Sequence, residues 1–307
     1  MFSKTYRFVL VFAIILFAHR STAQFSNYSE PFIDVKGRSG VSFNLGANTF
    51  LGDLGGNQGT GKPYFKDFNT KTVRPLIGAS YTYFPLSWLS VKAGLNYTWV
   101  TGADSLIKNK FGHAAGRYNR NLSFRSAITE MSAEAEWYPL QMTWKYGGSS
   151  LRPFISSGIG FFHFNPKAQL NGQWVELQPL HLEGQGFTEY PDRKNYNRTQ
   201  IYIPLSVGLK YQLNDYYFIS LSSTFRKTFT DYIDDVSTNY IDPKLFDRYL
   251  SPDQAKLAKQ LYYRGNSSQG HNPGPYRGYS SLDSYTSVIF TFTYIIRRSE
   301  NYYYHRP

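Results

Sequence analysis

Three glutamates, Glu130, Glu134 and Glu136, recur at even spacing within one short segment of the chain. Side chains alternate between the two faces of a β-strand, so this spacing puts the three carboxylates on one face. Carboxylates grouped in this way can perform general acid–base catalysis, line a path for cations or pair with basic side chains. The opposite face of the same segment carries Thr129, Met131, Ala133, Ala135 and Trp137. A strand with one charged face and one mostly apolar face is typical of a boundary between lipid and a polar interior.

Basic side chains on other predicted strands supply partners for these carboxylates. Placing a carboxylate against lipid is costly, so we expect all three to point into the interior of a barrel. The sequence therefore predicts a lumenal ion-pair network formed by Glu130, Glu134, Glu136, Lys92, Lys210 and Arg226. An eight-stranded barrel is just wide enough for side chains to fill it, which favours a structural role. A carboxylate-lined cation path, or an acid–base pair, is the functional alternative.

A second acidic segment contains Asp231, Asp234, Asp235 and Asp242. Clustered carboxylates can bind Ca²⁺, but their spacing here differs from that of a calcium-binding loop. We therefore expect capping turns and salt bridges to Arg226 or Lys227, with a calcium site as the alternative. The six histidines are dispersed and cysteine is absent, so the sequence predicts neither a zinc site nor thiol chemistry.

Motifs for nucleotide binding and hydrolysis are incomplete. The segment Gly56–Pro63 imitates a phosphate-binding loop except at its last position. Pro63 stands where that motif needs a hydroxyl for Mg²⁺ and a backbone donor at the start of a helix. No Gly-x-Ser-x-Gly motif is present. We expect no cofactor and no enzymatic activity, although residues distant in sequence could still assemble a catalytic triad.

Apolar residues at every second position predict the elements that carry these side chains. From Leu89 to Trp99 every odd position is apolar or aromatic, and every even position is polar or glycine. This period of two indicates a strand, and its length suffices to cross a bilayer at a tilt. Comparable segments predict strands at Val41–Ala47, Ile77–Tyr83, Leu122–Tyr138, Arg152–Phe164, Ile201–Lys210 and Tyr285–Ile296, with one more ending near Arg226.

Long and short connections alternate between these eight segments. The long ones include Thr101–Asn121, Asn165–Thr199 and Thr228–Leu282, whereas Phe84–Ser87 and Leu213–Tyr216 are tight turns. Outer-membrane barrels have this alternation, with short turns in the periplasm and long loops outside. The sequence thus predicts an all-β fold, an eight-stranded antiparallel up-and-down transmembrane β-barrel with short periplasmic turns and long extracellular loops. A soluble β-sandwich, the alternative, would be expected to mix connection lengths without regard to parity.

The longest connection is predicted to contain a short helix. Ser251 has the side chain of an N-cap, and Pro252 fits the first helical position because its missing N–H is not needed there. We expect this helix to extend to Tyr263.

The two ends of the chain lie outside the predicted barrel. Lys4 and Arg7 precede an apolar run and small residues, a pattern typical of a secretory signal peptide; an uncleaved anchor is the alternative. We expect a signal peptide at 1–23, a periplasmic segment at 24–38, the barrel at 39–296 and a periplasmic tail at 297–307.

Composition is consistent with an outer-membrane location. Aromatic residues make up 18% of the chain, and aromatic girdles at two membrane interfaces would account for that excess. The net charge of +12 favours anionic outer-membrane lipid or lipopolysaccharide as a partner. For an exported protein we expect no nucleic acid partner.

Three stretches resemble a known family. They are Arg120–Arg125, Asn171–Leu180 with Glu183–Gly186, and Arg226–Ser237. The third includes Asp231, Tyr232, Asp234 and Asp235. Together they resemble the PorG-like outer-membrane barrels of the type IX (Por) secretion and gliding system.

This resemblance implies a non-enzymatic component of the cell envelope. Its implied partners are the PorK-like lipoprotein and the PorN-like protein of a periplasmic ring, which the barrel would anchor or dock at the outer membrane. The candidate periplasmic interface consists of Trp144, Tyr146, Arg297, Arg298 and Tyr303. Exposed aromatic and basic residues suit a protein interface, and they equally suit a membrane belt. A small pore or transporter, or an adhesin or enzyme acting through its surface loops, is the alternative function.

Overall fold

A computed structural model describes residues 35–54, 70–107, 113–143, 150–265, 274, 276–278 and 281–296. The chain divides into two units, 1–32 and 33–307, and all described residues belong to the second. The predicted signal peptide and the predicted C-terminal tail lie outside the described residues.

Eight long antiparallel strands form a closed barrel. They are β1 (Ser39–Leu51), β2 (Arg74–Leu86), β3 (Leu89–Ala103), β4 (Ser123–Trp137), β5 (Leu151–Leu170), β7 (Thr199–Gln212), β8 (Tyr217–Thr228) and β9 (Ser284–Ile296). Each pairs with its neighbours along the chain, and β1 pairs with β9 from Ser39↔Ile296 to Leu51↔Ser284. This last pairing joins the two ends of the sheet and confirms the predicted eight-stranded up-and-down barrel.

The barrel has an apolar exterior and a polar interior. Leu95, Met131 and Val207 are 56%, 62% and 58% exposed, while the residues beside each of them along the strand are far less accessible. A water-soluble protein buries such side chains, but a membrane barrel presents them to lipid. Closure also leaves no unpaired strand edge inside the bilayer. The chain is therefore an outer-membrane β-barrel, and a two-layer sandwich is excluded.

Four short helices lie in the described parts of the connections. They are α1 (His113–Arg120), α2 (Pro139–Thr143), α3 (Leu245–Tyr249) and α4 (Pro252–Tyr262). The helix predicted after Ser251 is present as α4 and ends one residue earlier than expected. The Ser251 hydroxyl accepts a hydrogen bond from the Gln254 backbone, and the Gln254 side chain accepts one from the Ser251 backbone. This reciprocal capping satisfies two backbone donors at the start of the helix.

None of the helices in the described part of the chain is both long enough and apolar enough to cross a membrane.

Two connections are more ordered than the sequence predicted. Thr101–Asn121 was expected to be a loop, but it contains the end of β3, a 3₁₀ turn at Asp104–Leu106 and α1. The expected loop from Asn165 also begins within β5, which continues to Leu170 and pairs with the short strand β6 (Gln173–Glu176). Beyond the bilayer, the outward face of a strand meets water and no longer needs apolar residues. The alternation of apolar residues in the sequence therefore stops, although the hydrogen-bonded strand continues.

The loops fold together into a cap above the barrel. Its core is formed by Ala168, Leu177, Leu180, Leu182, Phe187, Tyr240, Ile241, Phe246, Ala255, Ala258, Leu261 and Tyr262. Ala168 lies at the cap end of β5 and the others come from the β5–β7 and β8–β9 connections, so these two loops share one hydrophobic core. The cap is thus a packed structure resting on the extracellular end of the barrel.

Candidate functional site

Strand β4 carries the three predicted glutamates on its inward face. Glu130, Glu134 and Glu136 are 1%, 8% and 3% exposed. They alternate with outward residues such as Met131, so the period of the strand fixes their direction. All three carboxylates therefore lie inside the barrel.

Near the periplasmic end of the lumen, Glu136 is shared by two lysines. Lys210 Nζ donates to Glu136 Oε2 at 2.7 Å, and Lys92 Nζ lies 3.1 Å from Glu136 Oε1. Lys92 also approaches Glu134 at 3.4 Å. The Tyr138 hydroxyl donates to Glu136 at 2.5 Å. Side chains from β3, β7 and the end of β4 thus converge on one buried carboxylate.

Towards the extracellular end, Glu130 pairs with Arg226. Arg226 Nε lies 2.9 Å from the Glu130 carboxylate, and Arg226 Nη1 donates to Ser287 Oγ at 2.6 Å. The guanidinium also lies 5.1 Å from the centre of the Tyr285 ring. Such a pair is held by hydrogen bonds as well as by charge, as a buried ion pair requires.

The predicted partners are therefore found together in one lumen. Three carboxylates face the three basic side chains that the sequence predicted as their partners. A cavity of about 30 Å³, lined in part by Lys92, Glu130, Glu134 and Arg226, has room for a few ordered waters. The charged side chains around it are held in ion pairs.

Apolar side chains close the lumen at both ends. Val35, Phe84, Tyr138, Phe154, Phe218 and Ile295 pack together at the periplasmic end. A second cluster, which includes Phe50, Phe124, Phe162, Phe164 and Ile233, lies at the extracellular end. The charged layer is therefore enclosed between two hydrophobic layers.

Two buried arginines connect all four extracellular loops. Arg120, at the end of α1, pairs with Asp104 at 2.7 Å and donates to the backbone oxygen of Asp53 at 2.9 Å. It also donates to the backbone oxygen of Arg277. Arg277 in turn pairs with Glu183 at 3.0 Å. These five residues come from the β1–β2, β3–β4, β5–β7 and β8–β9 connections, so the pairs clamp the cap together.

These clamps were not predictable from the sequence. Arg120 and Glu183 lie within the stretches that carry the family resemblance, which was the only available signal. Charged residues are common in polar loops, and neither period nor spacing indicates a partner more than 90 residues away.

The acidic segment after β8 is buried beneath the cap. Asp234 accepts hydrogen bonds from the backbone of Leu54 and Val236, at 3.1 Å and 3.0 Å. Asp235 accepts one from the Tyr196 hydroxyl at 2.8 Å, and Asp231 accepts one from Ser237 Oγ at 2.7 Å. Tyr232 stacks on Tyr196 with ring centres 4.6 Å apart. The turn-capping role expected for the segment is therefore present.

The salt bridges expected for this segment are formed by other residues. Arg226 pairs with Glu130 inside the barrel, and Lys227 points outward from β8. Asp235 instead lies 3.7 Å from Arg277. The expectation was wrong because the period of β8 directs Arg226 into the lumen, away from the loop that follows.

The alternative calcium set does not come together. Asp242 lies apart at the start of α3, where its side chain accepts from the Lys244 backbone at 2.9 Å. In the described ranges, no group of three or more histidine, aspartate or glutamate residues is arranged to hold a metal ion.

Burial keeps protons on the acids beneath the cap. Removal from water raises the pKa of Asp231 to about 8, and the nearby carboxylates of Asp53 and Glu183 add to the effect. Burial raises the pKa of Asp235 to about 7, although Arg277 opposes the rise. The pKa values of Asp234 and Asp283 are also well above their usual range, because both are buried beside other acids. Protonation of this group therefore favours the closed cap.

The candidate periplasmic interface cannot be placed in the same detail. Trp144, Tyr146, Arg297, Arg298 and Tyr303 all lie outside the described residues.

A comparison with protein families gives one match to this barrel. The family described as a domain of unknown function, DUF6089, matches residues 40–249, from the first strand to the end of α3. The chain belongs to the DUF6089 family. No curated protein is detectably similar to this DUF6089 chain.

Solved outer-membrane barrels are similar to this chain, but with low sequence identities and low TM-scores. The attachment invasion locus protein Ail of Yersinia pestis is 8% identical with a TM-score of 0.37, covering 85% of this chain and 99% of Ail. OprG of Pseudomonas aeruginosa is 10% identical with a TM-score of 0.36, covering 86% and 97%. Outer membrane protein W of E. coli is 13% identical with a TM-score of 0.32, covering 85% and 98%. Because these scores are below 0.5, the barrel assignment rests on the strand pairing of the DUF6089 chain itself.

Proposed function

We propose that this outer-membrane barrel is a non-enzymatic component of the type IX secretion system, where it anchors or docks the periplasmic ring complex. The observation that carries the proposal is the filled lumen, with paired charges between two hydrophobic layers. A closed cylinder of this kind gives a rigid membrane anchor and offers no route for solutes.

The resemblance to PorG-like barrels supplies the particular assembly. Its most specific stretch, Arg226–Ser237, begins inside the lumen at Arg226 and ends beneath the cap, where Asp234 and Asp235 hold the loops. Residues that carry the resemblance thus take part in the lumenal ion pairs and in the hydrogen bonds beneath the cap. This supports membership of a group of barrels with the same closed form.

The implied contact with the ring lies at the periplasmic end. Strand β4 ends at Trp137 and β9 at Ile296, both at the short-turn end of the barrel, and the candidate interface residues follow these two strands in sequence. The proposed partners are the PorK-like lipoprotein and the PorN-like protein, which lie on that side of the membrane. Aromatic and basic side chains are frequent anchors of protein interfaces.

Secretion in a deletion strain tests this function. Loss of the protein is expected to abolish secretion of type IX cargo, and the full chain is expected to restore it. The tagged full chain should also recover the ring lipoprotein from solubilised envelopes. Normal secretion in the deletion strain, or capture without the lipoprotein, would contradict the proposal.

A matched pair of variants separates interface from fold. Replacing both Trp144 and Tyr146 with alanine is expected to reduce recovery of the ring lipoprotein. The control is Tyr276→Ala, which removes an aromatic side chain that is 72% exposed on the extracellular side. If both variants recover the lipoprotein equally, this turn is not the docking surface.

One observation favours a second candidate, recognition at the cell surface. A groove of about 460 Å³ lies between the β5–β6 hairpin and α4. Its polar lining includes Asn171, Gln173, Asp253, Lys256 and Gln260. An adhesin would use such a groove to bind a surface ligand. Under this alternative, Lys256→Ala reduces attachment of expressing cells and leaves secretion unchanged.

A further inference from the structure

Arg125 occupies an unusual position on the outside of the barrel. It lies on β4 at the end nearest the cap, and its guanidinium carbon is 5.0 Å from the Trp99 ring centre and 5.7 Å from the Trp174 ring centre. Among the ion pairs and hydrogen bonds of the described residues, none involves Arg125. Its charge is therefore held by two indole rings and is not neutralised by a carboxylate.

The depth of Arg125 corresponds to the level of lipid headgroups. On the same outward face of β4, Trp137 marks the opposite end. The strand between them is about 40 Å long at roughly 3.4 Å per residue. A tilt of about 40° reduces this to a height of roughly 30 Å, compared with an apolar band of about 25 Å. Arg125 thus lies just beyond the apolar band of the outer leaflet.

Further basic residues surround Arg125 at this level. Lys167 is its register partner on β5, and Lys167 in turn is paired with Glu176 on β6. Glu176 accepts from Lys167 at 2.9 Å and from Arg198 at 3.3 Å. We call the group of Arg125, Lys167, Arg198, Trp99 and Trp174 the interface patch. Lys167 and Arg198 share the one carboxylate of Glu176, and Arg125 adds a third cation without an acidic partner, so the interface patch has a net positive charge.

The chemistry of the interface patch fits a phosphate group. The Arg125 guanidinium lies over two indole rings, and no described side chain accepts a hydrogen bond from its N–H donors. These donors form a planar fork that matches two oxygens of a phosphate. Trp99 and Trp174 lie at the membrane interface, where amphipathic rings are favoured, so a ligand would arrive from the bilayer. We infer that the interface patch binds the phosphate of an outer-leaflet lipid headgroup, with Arg125 as its central contact.

Lipid retention by the full chain tests this inference. The detergent-solubilised protein is titrated with diphosphoryl lipid A, and bound lipid is counted by native mass spectrometry. Arg125→Gln is expected to weaken binding at least about tenfold, since it removes charge-assisted hydrogen bonds. Arg125→Lys keeps the charge but loses the planar fork, and an intermediate loss is expected.

The matched control is Lys227→Gln. Lys227 faces outward near the cap end of β8, so this change removes one positive charge from the outer surface of the barrel at a site away from the interface patch. Binding is expected to stay within about twofold of the unchanged protein, because screened surface charges contribute little. Equal losses in Arg125→Gln and Lys227→Gln would overturn the inference in favour of general surface charge, and so would unchanged binding in Arg125→Gln.

A soluble anion distinguishes the source of the phosphate. Excess inorganic phosphate is expected not to displace the lipid, because it lacks the acyl chains that hold the headgroup at this depth. Displacement by inorganic phosphate would overturn the assignment to a lipid. Retention of the heat-modifiable electrophoretic shift in each variant verifies that the barrel has folded.

Discussion

At the scale of single residues, Glu136 is the centre of the lumenal network. Two lysines and the Tyr138 hydroxyl converge on its carboxylate; Glu136, Lys210 and Tyr138 are buried, and Lys92 is 22% exposed. A buried charge without its partner is strongly destabilising, typically by 3–5 kcal/mol. The network therefore makes each charge depend on the others.

Glu136→Gln tests this dependence. The change leaves Lys92 and Lys210 with too little negative charge around them, so the free energy of unfolding should fall by about 3 kcal/mol. Urea unfolding in lipid vesicles measures the change. The control is Glu189→Gln, which breaks an exposed pair with Arg248 and should cost no more than about 1 kcal/mol. Equal losses in the free energy of unfolding for the two variants would show that the lumenal ion pairs stabilise the protein no more than an exposed pair does.

The alternation of strands made the lumenal residues predictable. Once Glu130, Glu134 and Glu136 share a face with polar neighbours, only the interior can accept them. Their exact pairing was not predictable, because it depends on strand register across the barrel. Lys210, for example, meets Glu136 across 74 positions of sequence.

At the scale of elements, the cap is the part that sequence reasoning described least well. Within the bilayer, strands such as β3 show a strict period of two, because one face meets lipid. Above it, β5 and the β6 hairpin have water on their outward face, and the period fades. Helix α4 was predictable because its cap residues act locally, whereas the clamps through Arg120 and Arg277 join distant loops.

Arg277→Met is expected to loosen the cap and leave the barrel closed. The change leaves the buried Glu183 and Asp235 carboxylates without their cation. Limited proteolysis of vesicles should therefore cut the β5–β7 and β8–β9 connections faster, while the heat-modifiable shift of the barrel persists. Arg248→Met, at an exposed site, is the control and should change neither. Proteolysis at an unchanged rate in Arg277→Met would show that the clamp does not hold the loops.

The buried acids make the cap sensitive to pH. Their pKa values are raised in the closed cap, to about 8 for Asp231 and about 7 for Asp235, against about 3.9 in an unfolded chain. The closed cap therefore holds more protons than the open one. Its stability should be greatest at acid pH and should fall as pH rises through the raised pKa values.

Hydrogen exchange measures this pH dependence directly. After correction for intrinsic rates, protection of the cap should decrease between pH 5 and 8.5. Asp283→Asn should flatten the profile, because it removes one acid whose pKa burial raises. Asp253→Asn, in the first turn of α4, is the control and should preserve the slope. Protection that increases with pH would contradict this account of the cap.

At the scale of the whole molecule, the barrel is closed in three successive layers. A hydrophobic layer lies at each end, and the paired charges lie between them. The cap rests on the extracellular end and is clamped by buried arginines. Each of these layers opposes the passage of solutes through the barrel. An anchoring role does not require the lumen to open.

Conductance in planar bilayers tests the closed lumen most directly. The purified full chain, inserted at neutral pH in either orientation, is expected to give no steady current under an applied voltage. A porin with an open channel, inserted under the same conditions, serves as the positive control. A stable, ion-selective open state of the unchanged DUF6089 barrel would contradict the central claim that its interior is filled and its role is to anchor.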